Sequence, residues 1–380
     1  MQPIYQTQLD HNNVDRYVDA EKLIRSITGI NKDLDTANEI LVHRDLRQRK
    51  EIRQAYKQRY GKDLLVSLGS ELNGDYEFLV KNLFLDPIQI LAHDIHRELK
   101  KPGRNSAELT AILCCCNNTE LYLLKKAYAI LLEAEDVKHV SHRSLESDIR
   151  KNTRGAYCQL LEELLKCERY EESPEELTAA RVANDVYRVI DRTLVNKDIE
   201  DLHMVLNDPV DQPQTTPLAT RYTNRRRVRI QACQKCARKG PKLNHRLLIS
   251  ILTRRSKTHI RVIWKTYIEK YGVTLVKEIT DKFAEPFRTG INTTIMAQVD
   301  LRLLITCQLR EATAGVGTKE SVLNRIICLR LENDLSDLRR DYATYFGGDL
   351  VKHVKADTSL EYRKLLTLLL NTWTDSVRPR

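Results

Sequence analysis

Long apolar runs are missing from this sequence of 380 residues. No stretch approaches the ~18 consecutive apolar residues of a membrane-spanning helix, so any membrane contact is expected to be peripheral. Met1 to Asp19 holds no apolar run of the secretory kind, and a cytoplasmic protein is expected. The nine cysteines follow no disulfide framework: the number is odd, and Cys114, Cys115 and Cys116 are contiguous. Reduced thiols in an intracellular protein are the expectation. Cys233 and Cys236 form a CxxC, but no second CxxC or nearby histidine pair completes a zinc site. His43, His93, His96, His139, His142, His203 and His245 have no nucleophile or carboxylate set around them, so an enzyme is not expected. His93 and His96 could share a helix face, yet no third metal ligand is in view. Aromatic and basic residues do not interleave, and no zinc or strand-based motif is present, which argues against nucleic acid as the partner.

What is present is a globular composition, 42% hydrophobic and 30% charged, with a net charge of +10. Such a surplus favours an anionic partner, either a membrane surface or nucleic acid. Apolar residues recur with helical spacing. Ala20, Leu23, Ile24 and Ile27 follow i, i+3, i+4, i+7, and Gly29-Ile30-Asn31-Lys32 ends that helix. Further helical stretches run through Ile40-Leu41, from Ile52 to Tyr60, up to Glu71, and from Asp75 to Leu85. Pro87 is expected to close this five-helix unit.

The layout repeats. Arg44 precedes Tyr60-Gly61 by 16 residues, Arg255 precedes Tyr271-Gly272 by 16, and Arg330 precedes Phe346-Gly347 by 16. Each arginine follows an apolar pair, and each is expected to satisfy helix-end carbonyls. Recurrence at fixed spacing marks a repeat protein. The expected division is a leader at 1–18, repeats at 19–87, 88–168, 226–299 and 300–373, and a tail at 374–380. Residues 169–225 form an inserted linker. Within it, 174–193 is expected to be one helix with Ala179, Val182, Ala183, Val186, Val189 and Ile190 on one face. That face packs on the protein's own body, or it offers a surface for a protein partner or self-association. Pro209, Pro213 and Pro217 mark an irregular connector, and Arg225-Arg226-Arg227 with Arg229 lead into the third repeat.

The chemistry sits in a loop. Thr313-Ala314-Gly315-Val316-Gly317-Thr318 has two glycines one residue apart, which lets the chain wind tightly and turn carbonyls toward one point. Asp357 lies 42 residues beyond Gly315, and Glu71 lies 42 beyond Gly29. Carbonyl oxygens joined by one carboxylate suit Ca²⁺, which takes about 6–8 oxygen ligands in flexible geometry.

Asp19-Ala20-Glu21-Lys22-Leu23, Arg53 to Leu64, Ser70-Glu71-Leu72-Asn73-Gly74, Gly315-Val316-Gly317-Thr318 and Ala356-Asp357-Thr358-Ser359 together resemble the annexin family. The long insert is similar to that of some invertebrate members. The resemblance implies an all-α curved disc of four five-helix repeats, with an extra helical linker between repeats two and three. It also implies calcium-dependent binding to acidic phospholipid, with three loop carbonyls and one bidentate carboxylate on each ion. In repeat four these are Thr313, Gly315 and Gly317 with Asp357. In repeat one they are Ile27, Gly29 and Asn31 with Glu71, where Asn31 replaces a glycine and Lys32 a threonine. Repeat two has Lys101 and Asn152 at the glycine and acid positions. Repeat three keeps Gly240 but follows it with Pro241 and Lys242 and has Lys282 at the acid position, so neither of these repeats is expected to hold the ion. Some relatives reach the cell surface without a signal peptide. The alternative is a calcium-independent helical scaffold that binds protein partners or anionic surfaces.

Overall fold

The computed structural model describes residues 15–101, 106–135, 143–207, 245–314, 319–358 and 360–372. Among them there are 21 α-helices and no strand. The first five are α1 (Arg16–Ile27), α2 (Leu34–Val42), α3 (Leu46–Tyr60), α4 (Leu64–Glu71) and α5 (Gly74–Asn82). The next five are α6 (Pro87–Lys100), α7 (Ser106–Cys115), α8 (Asn118–Glu135), α9 (Leu145–Asn152) and α10 (Gly155–Leu165). After α11 (Pro174–Val182) come α12 (Arg192–Asn207), α13 (His245–Arg254), α14 (Lys257–Tyr271), α15 (Leu275–Lys282) and α16 (Phe287–Val299). The last five are α17 (Leu301–Thr313), α18 (Glu320–Arg330), α19 (Leu335–Phe346), α20 (Leu350–Asp357) and α21 (Leu360–Thr372).

Local chemistry sets the boundaries. Gly61, Gly272 and Gly347 end α3, α14 and α19 at φ of 69°, 69° and 66°, a left-handed bend that glycine makes without steric cost. These are the three glycines that the repeat spacing singles out. Pro87 does not close the first unit; it opens α6 at the first helical turn, behind the capping box of Asp86 and Gln89. Proline suits that position because its missing N–H would have no intrahelical partner there.

The chain forms two compact units, one from residues 1–152 with 300–380 and one from 153–299. In the first unit, Ala20, Leu23 and Ile27 are buried as the stripe predicts, together with Leu79, Leu323, Ile327, Leu365 and Leu369. The α5 helix packs on α18 and α21. A charged group also lies inside this unit. Arg325 is buried and donates to Asp94 at 3.2 Å and to Glu108 at 2.9 Å. Burial pushes the Asp94 carboxyl above its ordinary range despite Arg325 and Arg97.

In the second unit, α10 packs on α13 and α16. Here the structure corrects the expected linker. The stretch 174–193 is not one helix: α11 stops at Val182, Asn184 takes φ 50°, and a 3₁₀ turn spans Val186–Arg188. Asparagine tolerates the left-handed region, and the Asp185 side chain caps the 3₁₀ turn. Ala180 and Ile190 are buried while Val182 is 83% exposed, so the predicted apolar face does not exist as one surface.

The third repeat also begins earlier than 226. The α12 helix packs on α13 and α14 as α1 packs on α2 and α3. Asp198 on α12 accepts from Arg255 at 2.6 and 3.1 Å, as Asp19 on α1 accepts from Arg44 at 2.7 and 3.3 Å. The insertion therefore falls between the first and second helices of the third repeat, over 208–244. Those residues lie outside the described ones, as do Pro209, Pro213, Pro217, Arg225 to Arg229, Cys233 and Cys236.

Candidate metal loops

Each loop is held by the helices that flank it. In the first repeat α1 ends at Ile27, and Gly29 turns at φ 89°, which glycine permits. Asp33 N–H donates to the Ser26 carbonyl at 2.7 Å and closes the loop. Asp33 then caps α2 through Thr36. Across from it α4 ends at Glu71. Lys32 reaches this acid: its Nζ donates to the Glu71 carbonyl and stands 3.7 Å from Glu71 Oε2. Ile30, at the loop's apex, is fully exposed.

The fourth repeat uses the same frame. Lys319 N–H donates to the Ala312 carbonyl at 3.2 Å, the same seven-residue closure. Thr313 is buried; its hydroxyl donates to the Leu309 carbonyl at 2.9 Å and lies 3.2 Å from the Tyr342 hydroxyl. Opposite, α20 ends at Asp357, and Thr358 caps it through its N–H and its hydroxyl, both donated to Val354. Arg363 donates to the Thr358 carbonyl. Gly315 and Gly317 lie outside the described residues, and so does the side chain of Asp357.

A tyrosine on the third helix of every repeat ties it to the fourth helix. Tyr56 donates to Ser67 at 3.0 Å, Tyr128 to Asp148 at 2.8 Å and Tyr267 to Glu278, while Tyr342 and His353 Nδ1 are 2.7 Å apart. A second link recurs in the outer two repeats, where Tyr76 donates to Asn38 at 2.9 Å and Tyr362 to Asn324 at 2.6 Å. The first set ties the fourth helix to the third, and the second set ties the fifth helix to the second.

In the other two repeats an asparagine or a lysine stands at the position of the expected carboxylate. Lys101 pairs with Glu98 at 2.6 Å, and Asn152 ends α9. Lys282, exposed, ends α15; Gly240, Pro241 and Lys242 are outside the described residues. His93 is exposed and His96 buried against Tyr128, so the two do not share a face for a metal. Among the described residues no cluster of three or more His, Cys, Asp or Glu stands ready for a metal. A loop of carbonyls with one carboxylate does not form such a cluster.

Two features escaped the sequence reading. One is Asp198-Ile199-Glu200-Asp201-Leu202, which parallels Asp19-Ala20-Glu21-Lys22-Leu23 and marks the true start of the third repeat. The other is the role of Arg44 and Arg255. Both grip an acid on the first helix instead of serving carbonyls alone.

Repeated five-helix units, two of them with a closed loop after the first helix and an acid ending the fourth, define a class of all-α repeat proteins. Comparison with known proteins places the chain within it. The family profile described as Annexin matches residues 18–83, 234–291 and 306–369. The chain is 29% identical to Annexin A13 of Schistosoma japonicum over 368 residues, 97% of this chain and 95% of that protein. It is also 29% identical to the annexin-like protein RJ4 of Fragaria ananassa, over 93% of this chain and 94% of that one. Its fold matches the crystal structure of calcium-bound annexin (Sm)1 with a TM-score of 0.73 and 27% identity, covering 94% and 90% of the two chains. The chain belongs to the annexin family.

Proposed function

We propose that this annexin binds acidic phospholipid membranes in response to Ca²⁺, and that the loop of the fourth repeat carries the response. The carbonyls of Thr313, Gly315 and Gly317 and the carboxylate of Asp357 would hold the ion. The observation that carries the reading is the Lys319-to-Ala312 closure, which gives this loop the frame seen in the first repeat. Family membership supports the rest, since annexins are known for calcium-dependent phospholipid binding.

When bound, the ion supplies a divalent charge that protein and lipid oxygens share. The protein's part is to offer too few ligands. Three carbonyls and one carboxylate fall short of the roughly 6–8 oxygens Ca²⁺ takes, so phosphate oxygens of a headgroup would be needed to complete the shell. Ion and membrane then bind cooperatively, and the coupling is reciprocal. The contact is peripheral; among the described residues no helix is long and apolar enough to cross a membrane.

The test is sedimentation with phosphatidylserine vesicles against free Ca²⁺. Asp357→Asn should remove most of the calcium-dependent binding. Unchanged sedimentation would overturn the assignment. A second, calcium-independent attraction is expected from the +10 net charge and from Lys282, a cation exposed where an acid would stand. Basic residues near an anionic surface contribute about 1 kcal/mol each.

A further inference from the structure

We propose that Lys32 is the internal cation of the first repeat: its ammonium takes the place of the divalent ion, and this loop stays free of Ca²⁺ at concentrations that fill the fourth. The inference rests on the same loop-and-carboxylate reading as the proposed function, but it assigns the first loop the opposite property.

Three observations carry it. Lys32 projects from the loop itself, one residue past Asn31, the last of the three carbonyl positions. Its ammonium binds Glu71 twice over, through the backbone carbonyl and beside the carboxylate, Oε2 being 3.7 Å away. Both side chains are about two-thirds covered, 30% and 33% exposed, so solvent is partly excluded from the pair at the surface. Both loops share the seven-residue closure, so what sets the first repeat apart is the ammonium on its acid. Its one carboxylate is neutralised, and the span between loop and fourth helix is bridged by a covalently attached cation. In the sequence of the fourth repeat the matching position is Thr318.

Charge explains the exclusion. For Ca²⁺ to reach Glu71, the ammonium must leave its two oxygens and then remain tethered a residue from the ion. Like charges at a few ångströms repel strongly where solvent is partly excluded. A lysine is also always present at its loop, whereas the ion must be drawn from solution, so the intramolecular contact wins at low Ca²⁺.

The experiment is equilibrium dialysis of the full chain with ⁴⁵Ca²⁺, with and without phosphatidylserine vesicles. Lys32→Thr should gain one bound equivalent over wild type, and adding Glu71→Gln should remove it. Lys32→Arg, which keeps a cation on Glu71, should show no gain. Because Asn31 also departs from glycine, Asn31→Gly with Lys32→Thr is the second test, and its gain should be at least as large. Glu71→Gln alone should leave wild-type stoichiometry unchanged. Loss of an equivalent in Glu71→Gln alone, or no gain in either Lys32→Thr variant, overturns the proposal. Asp357→Asn, measured alongside, fails or holds separately: it decides the fourth repeat and leaves the gain at the first intact.

Discussion

Arg325 carries a full charge into the interior of the unit formed by residues 1–152 and 300–380, and two acids meet it there. Removing one partner of such a group leaves the others desolvated and uncompensated. Arg325→Met should therefore destabilise the protein by about 3–5 kcal/mol, read from denaturant unfolding. Asp198 presents the opposite balance. Burial alone would raise its carboxyl, but hydrogen bonds from His259 and Arg255 outweigh it and hold the group below its ordinary value. A depressed carboxylate adds stability above its unfolded pKa, and that stability is lost as pH falls through the lower folded value. Asp198→Asn should cost about 3 kcal/mol at neutral pH. The gap from wild type should narrow below about pH 3.8, in thermal melts taken from pH 7 downward.

Elements end where the backbone permits. Gly74 and Gly155 start α5 and α10 at φ 63°, yet the corresponding turn before α21 holds Leu360 at φ 39° with 83% of its surface exposed. A left-handed backbone costs an ordinary L-residue about 1–2 kcal/mol, and an exposed side chain recovers little by packing. Leu360→Gly should raise stability by about 0.5–1 kcal/mol after the added freedom of the unfolded chain is subtracted. A melting temperature that drops on this change would show the side chain to be needed. The same scale explains the misread linker. Apolar spacing ran on through 174–193, but Asn184-Asp185 offered the chain a turn and a new cap, and local chemistry broke the helix.

At the scale of the whole molecule the surplus of positive charge acts over distance and is screened by salt. Binding to phosphatidylserine vesicles in a calcium chelator should fall steadily between about 0.05 and 0.5 M salt, because the Debye length shrinks from roughly 10 Å at 0.1 M to 3 Å at 1 M. The calcium-dependent part should resist salt more, since its contacts are ion to oxygen at short range. Calcium-free binding that ignores salt would exclude the electrostatic account.

Periodicity and punctuation by themselves determined the class of fold and several helix ends, because burial of an i, i+3, i+4 face and the φ of a glycine are local matters. Gly61, Gly272 and Gly347 were legible for that reason. Only the tertiary structure decided who meets whom. Asp198 finds Arg255 across 37 residues, from 208 to 244, that displace the repeat's own register, and Lys32, between α1 and α2, finds Glu71 at the end of α4. Spacing along a chain fixes which face a residue shares, whereas the neutralisation of one charge by another depends on where separate helices bring them.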